Sequence, residues 1–383
     1  MSEILIIGGG VIGLAIAREL HKKGARKIRI LERVKLGQEA SFAAAGILAP
    51  QSEAEKQDDF FHFCDDSKKL YSQFALELFD ETGVDIELDR SGTLYLAFSE
   101  NDSVVIRHRF EWQKNAGLQV EYLTAREAKK VEPFVSPNVR EALFFPNDWQ
   151  VENRKLLAVL QKYAEINKIK TVENAEVKNI LIEKGKIVGA QTNNKKYLAE
   201  KVVLTTGAWT SLIKAGENDF ALPAVKPIRG QMLSFHTAKR LFEKVLYSPR
   251  GYLVPRLDGR ILAGATVEDV GFDKSVTQSG VDFLFDTAFE IAPSLINLQP
   301  DEKWAGLRPF VSDGLPVLGE FSETENLFIA TAHFRNGILL APLTAKILAD
   351  RIVENSQSKY LEIFSPRRFG RKIKPQISQI GKL

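Results

Sequence analysis

The sequence predicts an α/β fold in which a doubly wound, parallel-sheet domain is interleaved with an α+β domain of mixed sheet. Three observations carry this expectation. A continuous apolar run, Ile4-Leu5-Ile6-Ile7, precedes a glycine turn and a stretch with helical periodicity. A second apolar run, Ile28-Arg29-Ile30-Leu31, follows and ends on the acid Glu32. Beyond it, buried-type strands alternate with blocks of short alternating strands, with no internal repeat and no low-complexity linker between them. A chain of 383 residues exceeds the usual size of one hydrophobic core, which favours two domains.

Residues 4–7 are continuous rather than alternating in polarity, as in a strand covered on both faces. Behind the glycines, Ile12, Ile16 and Leu20 recur at helical spacing in a helix expected to about Lys23, and Gly24 stands in the usual stop position. With the strand at 28–31 these make a βαβ-type unit. From about 84 to 151 short strands such as 92–98 take over, around a helix near 103–116. A helix at about 154–164 leads into a meander: a strand at 177–183, the turn Lys184-Gly185-Lys186, and a strand at 187–191. A buried strand ends at Thr205-Thr206-Gly207. The stretch 223–300 reads as strand-rich, notably 251–256 and 260–265. A last strand at 327–332 runs through Asn336-Gly337 into a helix ending near Ile352.

Composition excludes several classes. The apolar fraction is 44% and the charged fraction 26%, ordinary for a globular enzyme and unlike a disordered chain. A net charge of +3 on this length does not point to nucleic acid. Much of the local basic excess lies in 366–374, read as a solvated tail or, less favoured, as a contact for an anionic surface. Cys64 is the only cysteine, so no intrachain disulfide can form. With no signal-peptide core and no membrane-length apolar run, a cytoplasmic protein is expected, without nucleic-acid or membrane partners and without a metal site.

Chemistry concentrates in five segments. Gly8-Gly9-Gly10-Val11-Ile12-Gly13 is a G-x-G-x-x-G between strand and helix. Gly8 allows the tight turn, Gly10 a close approach of pyrophosphate to backbone, and Gly13 close packing of helix on strand. The helix N-terminus offers free N–H groups to phosphate, and Glu32 is placed for a ribose hydroxyl. The small residues of 40–50 suit either tight helix packing or backbone lying against a flat ring. Thr205-Thr206-Gly207-Ala208-Trp209 ends a strand at the ligand edge of a parallel sheet, with Trp209 either a core aromatic or a site residue. Trp304-Ala305-Gly306-Leu307-Arg308-Pro309 sets an arginine among apolar residues, where the charge needs a protein or a ligand carboxylate. His333-Phe334-Arg335-Asn336-Gly337-Ile338-Leu339 joins the last strand to the last helix.

Taken with Ala43-Ala44-Ala45-Gly46, Pro227-Ile228-Arg229-Gly230-Gln231 and Gly251-Tyr252-Leu253-Val254-Pro255-Arg256, these segments resemble the D-amino-acid oxidase superfamily, most closely its glycine-oxidising branch in the thiazole arm of thiamine synthesis. The resemblance covers the chain to about Ile352. It implies an FAD-binding Rossmann-like domain of the glutathione-reductase type (1–85, 153–222, 300–383) interleaved with a mixed-sheet substrate domain (86–152, 223–299). It further implies non-covalent FAD, oxygen as acceptor, and commonly a homotetramer. Glycine, sarcosine, D-alanine and D-proline would yield the 2-oxo acid, ammonia or amine, and hydrogen peroxide.

Carried over residue by residue, Val11 and Ile12 would meet pyrophosphate, and Glu32 and Arg33 the adenosine. Ala40, Ser41, Ala45, Gly46 and Ile47 would line phosphates and flavin, and Val177 would meet adenine through its backbone. Gly207 and Trp209 would adjoin the cofactor, and the segment from His333 to Leu339 the isoalloxazine. Arg308 would hold the substrate carboxylate, with Tyr252 and Arg335 beside it. Phe42, Arg250 and Val267 depart from the family pattern and leave the substrate open. Rival readings are a same-fold dehydrogenase with another acceptor, a tRNA-modifying oxidase, and a non-catalytic flavin-binding subunit.

Overall fold

The structure is a computed structural model that describes residues 2–216 and 222–369; the part of the basic run from 370 to 374 lies outside the described residues. Among the described residues the chain builds two large sheets.

The first, of nine strands, is organised around Ser2–Ile7. This strand pairs in parallel with Ile28–Leu31 on one side and Lys196–Leu204 on the other. Leu327–Thr331 continues the parallel set beside Lys196–Leu204. Ile7 is in register with both Leu31 and Leu204, and Leu204 with Ile329, so four carboxyl ends share one edge. The other half of Lys196–Leu204 leaves this set and pairs antiparallel with Lys186–Thr192, which pairs with Val177–Glu183. The expected meander thus covers part of the parallel sheet.

The helices Val11–Lys22, Asn153–Ile166 and Gly337–Glu354 pack into one core on a face of that sheet, where Ile16, Leu160 and Leu348 are buried. A fourth helix in this layer, Asp59–Thr82, was not anticipated. Its signals are present in the chain: Asp58 caps the first turn, Gly83 ends the helix at φ 71°, and Cys64, Tyr71 and Leu78 fall on one buried face.

The second sheet has eight strands in mixed order, with Val245–Ser248 parallel to Thr93–Ala97 and its remaining pairs antiparallel. Its edge strand Glu302–Phe310 pairs along its length with Lys226–His236. Residues expected in the cofactor-binding segment from 300 therefore begin with a strand of the other sheet. The region read as strand-rich also holds a helix, Gln278–Ile291, whose Val281, Leu284, Ala288 and Ile291 face this sheet's core. The helix expected from 103 begins earlier, at Glu100, because Ser99 and Asp102 form a reciprocal capping box.

Candidate active site at the junction of the two sheets

The glycine turn has the geometry its residues require. Gly8 sits at φ +109°, and a Cβ there would lie 2.4 Å from the Thr205 carbonyl oxygen. A Cβ on Gly13 would lie 2.0 Å from the Gly8 oxygen, so this glycine serves packing and does not face the cavity described below. Gly10 starts the helix without a side-chain cap, while the Val11 amide donates to Ser41 Oγ at 3.1 Å. Glu32 is buried, and its carboxylate accepts from the amides of Gly9 at 2.8 Å and Val34 at 3.1 Å.

From this turn a cavity of about 1020 Å³ runs along the aligned strand ends and into the second sheet, at the upper limit of typical small-molecule sites. Its wall takes in Gly8, Gly10, Val11, Ile12, Glu32 and Arg33. Ala40, Ser41 and Ala45 to Ile47 follow, then Val177, Gly207 and Trp209, and then His333 to Ile338. Leu339 is outside the wall: its side chain is buried in the helical core, and its carbonyl accepts from Ser67 Oγ. Trp209 is only half-buried and stands in the cavity wall, with the Arg33 guanidinium 4.4 Å from its ring centre. Phe42 also lies outside the wall and carries the Arg154 guanidinium 4.0 Å from its ring centre.

The last strand reaches its helix through two non-glycine residues in the left-handed region, Ala332 at φ 57° and Phe334 at φ 48°. Such strain costs roughly 1 kcal/mol or more per residue and collects at ligand clamps. Here it delivers the N-terminus of Gly337–Glu354 to the cavity, with no side-chain cap on Asn336. Between them, His333 is buried, and burial pulls its imidazole down to about 3.

Two neighbouring strands carry arginines with opposite fates. Arg229 pairs with Glu268 at 2.5 Å and Asp273 at 2.7 Å. Arg308 has no carboxylate within ion-pair distance among the described residues. Its Nη1 donates to the carbonyls of Thr266 at 3.0 Å and Arg229 at 3.4 Å, and its side chain faces the cavity. Burial holds its pKa below the usual arginine value. Beside it, burial raises the Tyr252 hydroxyl against the opposing pull of Arg308 and Arg335.

Arg335 is already engaged. It lies 3.3 Å from Glu53 and donates to the Tyr247 hydroxyl; the charge of Glu53 is the largest influence raising its pKa. Glu53 and Tyr247 escaped the sequence reading because nothing local marks them; only the folded chain sets them in this wall. Arg250 also reaches the cavity but pairs with Glu290 at 3.3 Å.

A long cavity between two helix N-termini whose N-cap residues, Gly10 and Asn336, supply no side-chain cap, with an acid at the strand edge and small residues along its middle, fits a dinucleotide. Residues 3–351 match the DAO family, described as FAD dependent oxidoreductase. The chain belongs to the DAO family. It is 33% identical over 368 residues to the glycine oxidase of Bacillus licheniformis, covering 96% of this chain and 97% of that one. It is 37% identical over 372 residues to the bifunctional protein ThiO/ThiG of Trichormus variabilis, covering 96% of this chain and 55% of the relative. The chain thus spans about half the length of such bifunctional relatives. The crystal structure of glycine oxidase from Geobacillus kaustophilus superposes with a TM-score of 0.90 at 33% identity, covering 96% of this chain and 98% of that one.

Proposed function

We propose that this DAO-family enzyme oxidises glycine and small relatives, namely sarcosine, D-alanine and D-proline. Oxygen is the acceptor and is reduced to hydrogen peroxide, while water hydrolyses the imine to the 2-oxo acid and ammonia or amine; with D-proline the amine stays in the same molecule as the 2-oxo acid. The observation that carries this reading is Arg308: a cavity-facing cation with no carboxylate within ion-pair distance among the described residues, while Arg229 on the strand paired with it has two. A desolvated cation without a counter-charge is costly, and a substrate carboxylate held through the guanidinium fork relieves that cost.

When bound, FAD supplies the electron sink for oxidation of the substrate's C–N bond. The chain's own residues bind and orient. Gly8, Gly10, Val11 and Ile12 present backbone to pyrophosphate, and Glu32 receives the ribose. The uncapped N-terminus at Gly337 and Ile338 offers N–H groups and partial positive charge to the negative end of a bound ring. Arg308 fixes the substrate carboxylate, and Tyr252 adds a hydroxyl whose raised pKa keeps it protonated as a donor. Fixing the carboxylate sets the orientation of the adjacent amine carbon.

In this reading the nine-stranded sheet forms the cofactor domain and the eight-stranded sheet the substrate domain, with Glu302–Phe310 assigned to the latter. Among the described residues no helix is long and apolar enough to cross a membrane. The proposal includes a cytoplasmic homo-oligomer, a tetramer by family resemblance, with non-covalent FAD. The likeness to ThiO/ThiG supports a place in the thiazole arm of thiamine synthesis. The deciding experiment is anaerobic bleaching of the purified yellow protein with glycine, sarcosine, D-alanine and D-proline, followed by peroxide measurement in air. Bleaching without peroxide would favour the dehydrogenase reading, and no bleaching with any of the four would defeat the proposal.

A further inference from the structure

The short helix Pro50–Glu53 is held in place by an unusually dense set of buried polar contacts. Asp148, fully buried, accepts from the amides of Gln51 at 3.1 Å and Ser52 at 2.7 Å. Arg109 donates through Nη1 to the carbonyls of Ser52 and Ala54, on either side of Glu53. Gln113 and Gln51 exchange hydrogen bonds at 2.8 and 3.0 Å. Burying an acid, an arginine and two amides to fix one turn of chain is expensive unless that turn must be held accurately. What it holds is the carboxylate of Glu53, in the cavity wall, 3.3 Å from both Arg335 and the Tyr247 hydroxyl.

We propose that Glu53 is a specificity-determining residue: by occupying Arg335 it leaves Arg308 to receive one substrate carboxylate and turns away substrates that carry a second. The two arginines belong to one locus. The Tyr247 and Tyr252 rings are 5.7 Å apart between centroids, Arg335 bonds to the first of them, and Arg335 lies near enough to Arg308 to oppose its charge. Without Glu53, Arg308 and Arg335 would both lack a carboxylate partner among the described residues and together would suit a dicarboxylate; with it, a second substrate carboxylate meets a fixed negative charge. Arg335 keeps 40% of its side chain accessible, so a ligand freed from competition can reach it.

This inference rests on the proposed amine-oxidase reading, and its test separates the two. The probes are sarcosine and iminodiacetate, which differ by one carboxylate on the nitrogen substituent. Beside them, acetate, malonate, succinate and glutarate are titrated into the FAD-loaded protein and followed by flavin absorbance. Glu53→Gln keeps the shape and removes the charge. It should raise affinity for the best of the three dicarboxylates relative to acetate about ten-fold, and raise kcat/KM for iminodiacetate relative to sarcosine by a similar factor. In Glu53→Gln/Arg335→Met both gains should disappear, because the released cation is gone. A dicarboxylate-to-acetate ratio that stays within about two-fold of wild type, or a gain that survives the double substitution, would overturn the assignment. If neither amine is turned over by any form, the amine-oxidase reading fails while the binding ratios still decide the role of Glu53.

Discussion

Arg308 lies directly over Gly230: a Cβ built on that glycine would sit 2.2 Å from Arg308 Nη1 and 2.3 Å from Nη2. Gly230 pairs with Gly306 across the strands, and Arg308 is in register with Ile228 two residues away, so the guanidinium crosses bare backbone to reach the cavity. Gly230→Ala should push the fork out of position without removing its charge. The expected result is a loss of about ten-fold or more in kcat/KM for glycine, comparable to losing one charge-assisted hydrogen bond. FAD content should be retained. Steady-state kinetics and the absorption spectrum check this; wild-type kinetics would mean that the fork does not hold the substrate.

Arg308→Lys should be far from conservative, since a point ammonium cannot reproduce the planar fork. A loss of about ten- to a hundred-fold in kcat/KM is expected, larger for Arg308→Ala. Both variants should fold and bind FAD, because no protein carboxylate depends on this arginine among the described residues. Amines without a carboxylate should lose far less activity than glycine. An Arg308→Ala protein that oxidises glycine normally would defeat the assignment.

Glu32→Ala should weaken FAD retention while leaving turnover of the saturated holoenzyme largely intact. The structure adds a second consequence. Its carboxylate accepts from the Gly9 and Val34 amides, so truncation also leaves donors unpaired and should lower apoprotein stability by about 1–3 kcal/mol. Glu32→Gln keeps an acceptor and should recover part of that stability but less of the FAD affinity. Fluorescence titration with FAD and urea unfolding of the apoprotein separate the two effects; unchanged FAD affinity in both variants would show the acid to be misassigned.

His333 should make the fold acid-sensitive. Burial lowers its folded-state value from 6.5 to about 3, so above pH 6.5 it is neutral in both states and contributes no pH dependence. As pH falls below 6.5 the unfolded chain takes up a proton that the folded chain refuses, and stability drops down to about pH 3. At pH 5 the loss from this group should be about 2 kcal/mol relative to pH 7. In His333→Gln, which leaves Thr344 a polar neighbour, that part of the slope should vanish. Urea unfolding of both apoproteins at pH 7 and pH 5 measures it; an identical pH slope in the two would rule out His333 as the source.

Features encoded over a few residues were legible before the fold was known. The strand, glycine turn and helix at 4–23 are local, because backbone freedom at Gly8 and the periodicity of Ile12, Ile16 and Leu20 need no distant partner to be recognised. The same holds for the meander at 177–191 and the helix after Asn336. Arg308 was legible as an anomaly, a charge among apolar neighbours, but whether its partner was protein or ligand depended on which carboxylates the second sheet brought near, and Glu268 and Asp273 went to Arg229 instead. Glu53 lies 282 positions from Arg335, Tyr247 88 positions, and no spacing rule links them. Gly230 looked like one more motif glycine until the side chain of Arg308 crossed it. The end of the cavity proposed for the cofactor could be read from local sequence, because what it contributes is backbone geometry at a glycine turn and a helix start. The end proposed for the substrate could not, because its chemistry lies in which charges the fold pairs and which it leaves free.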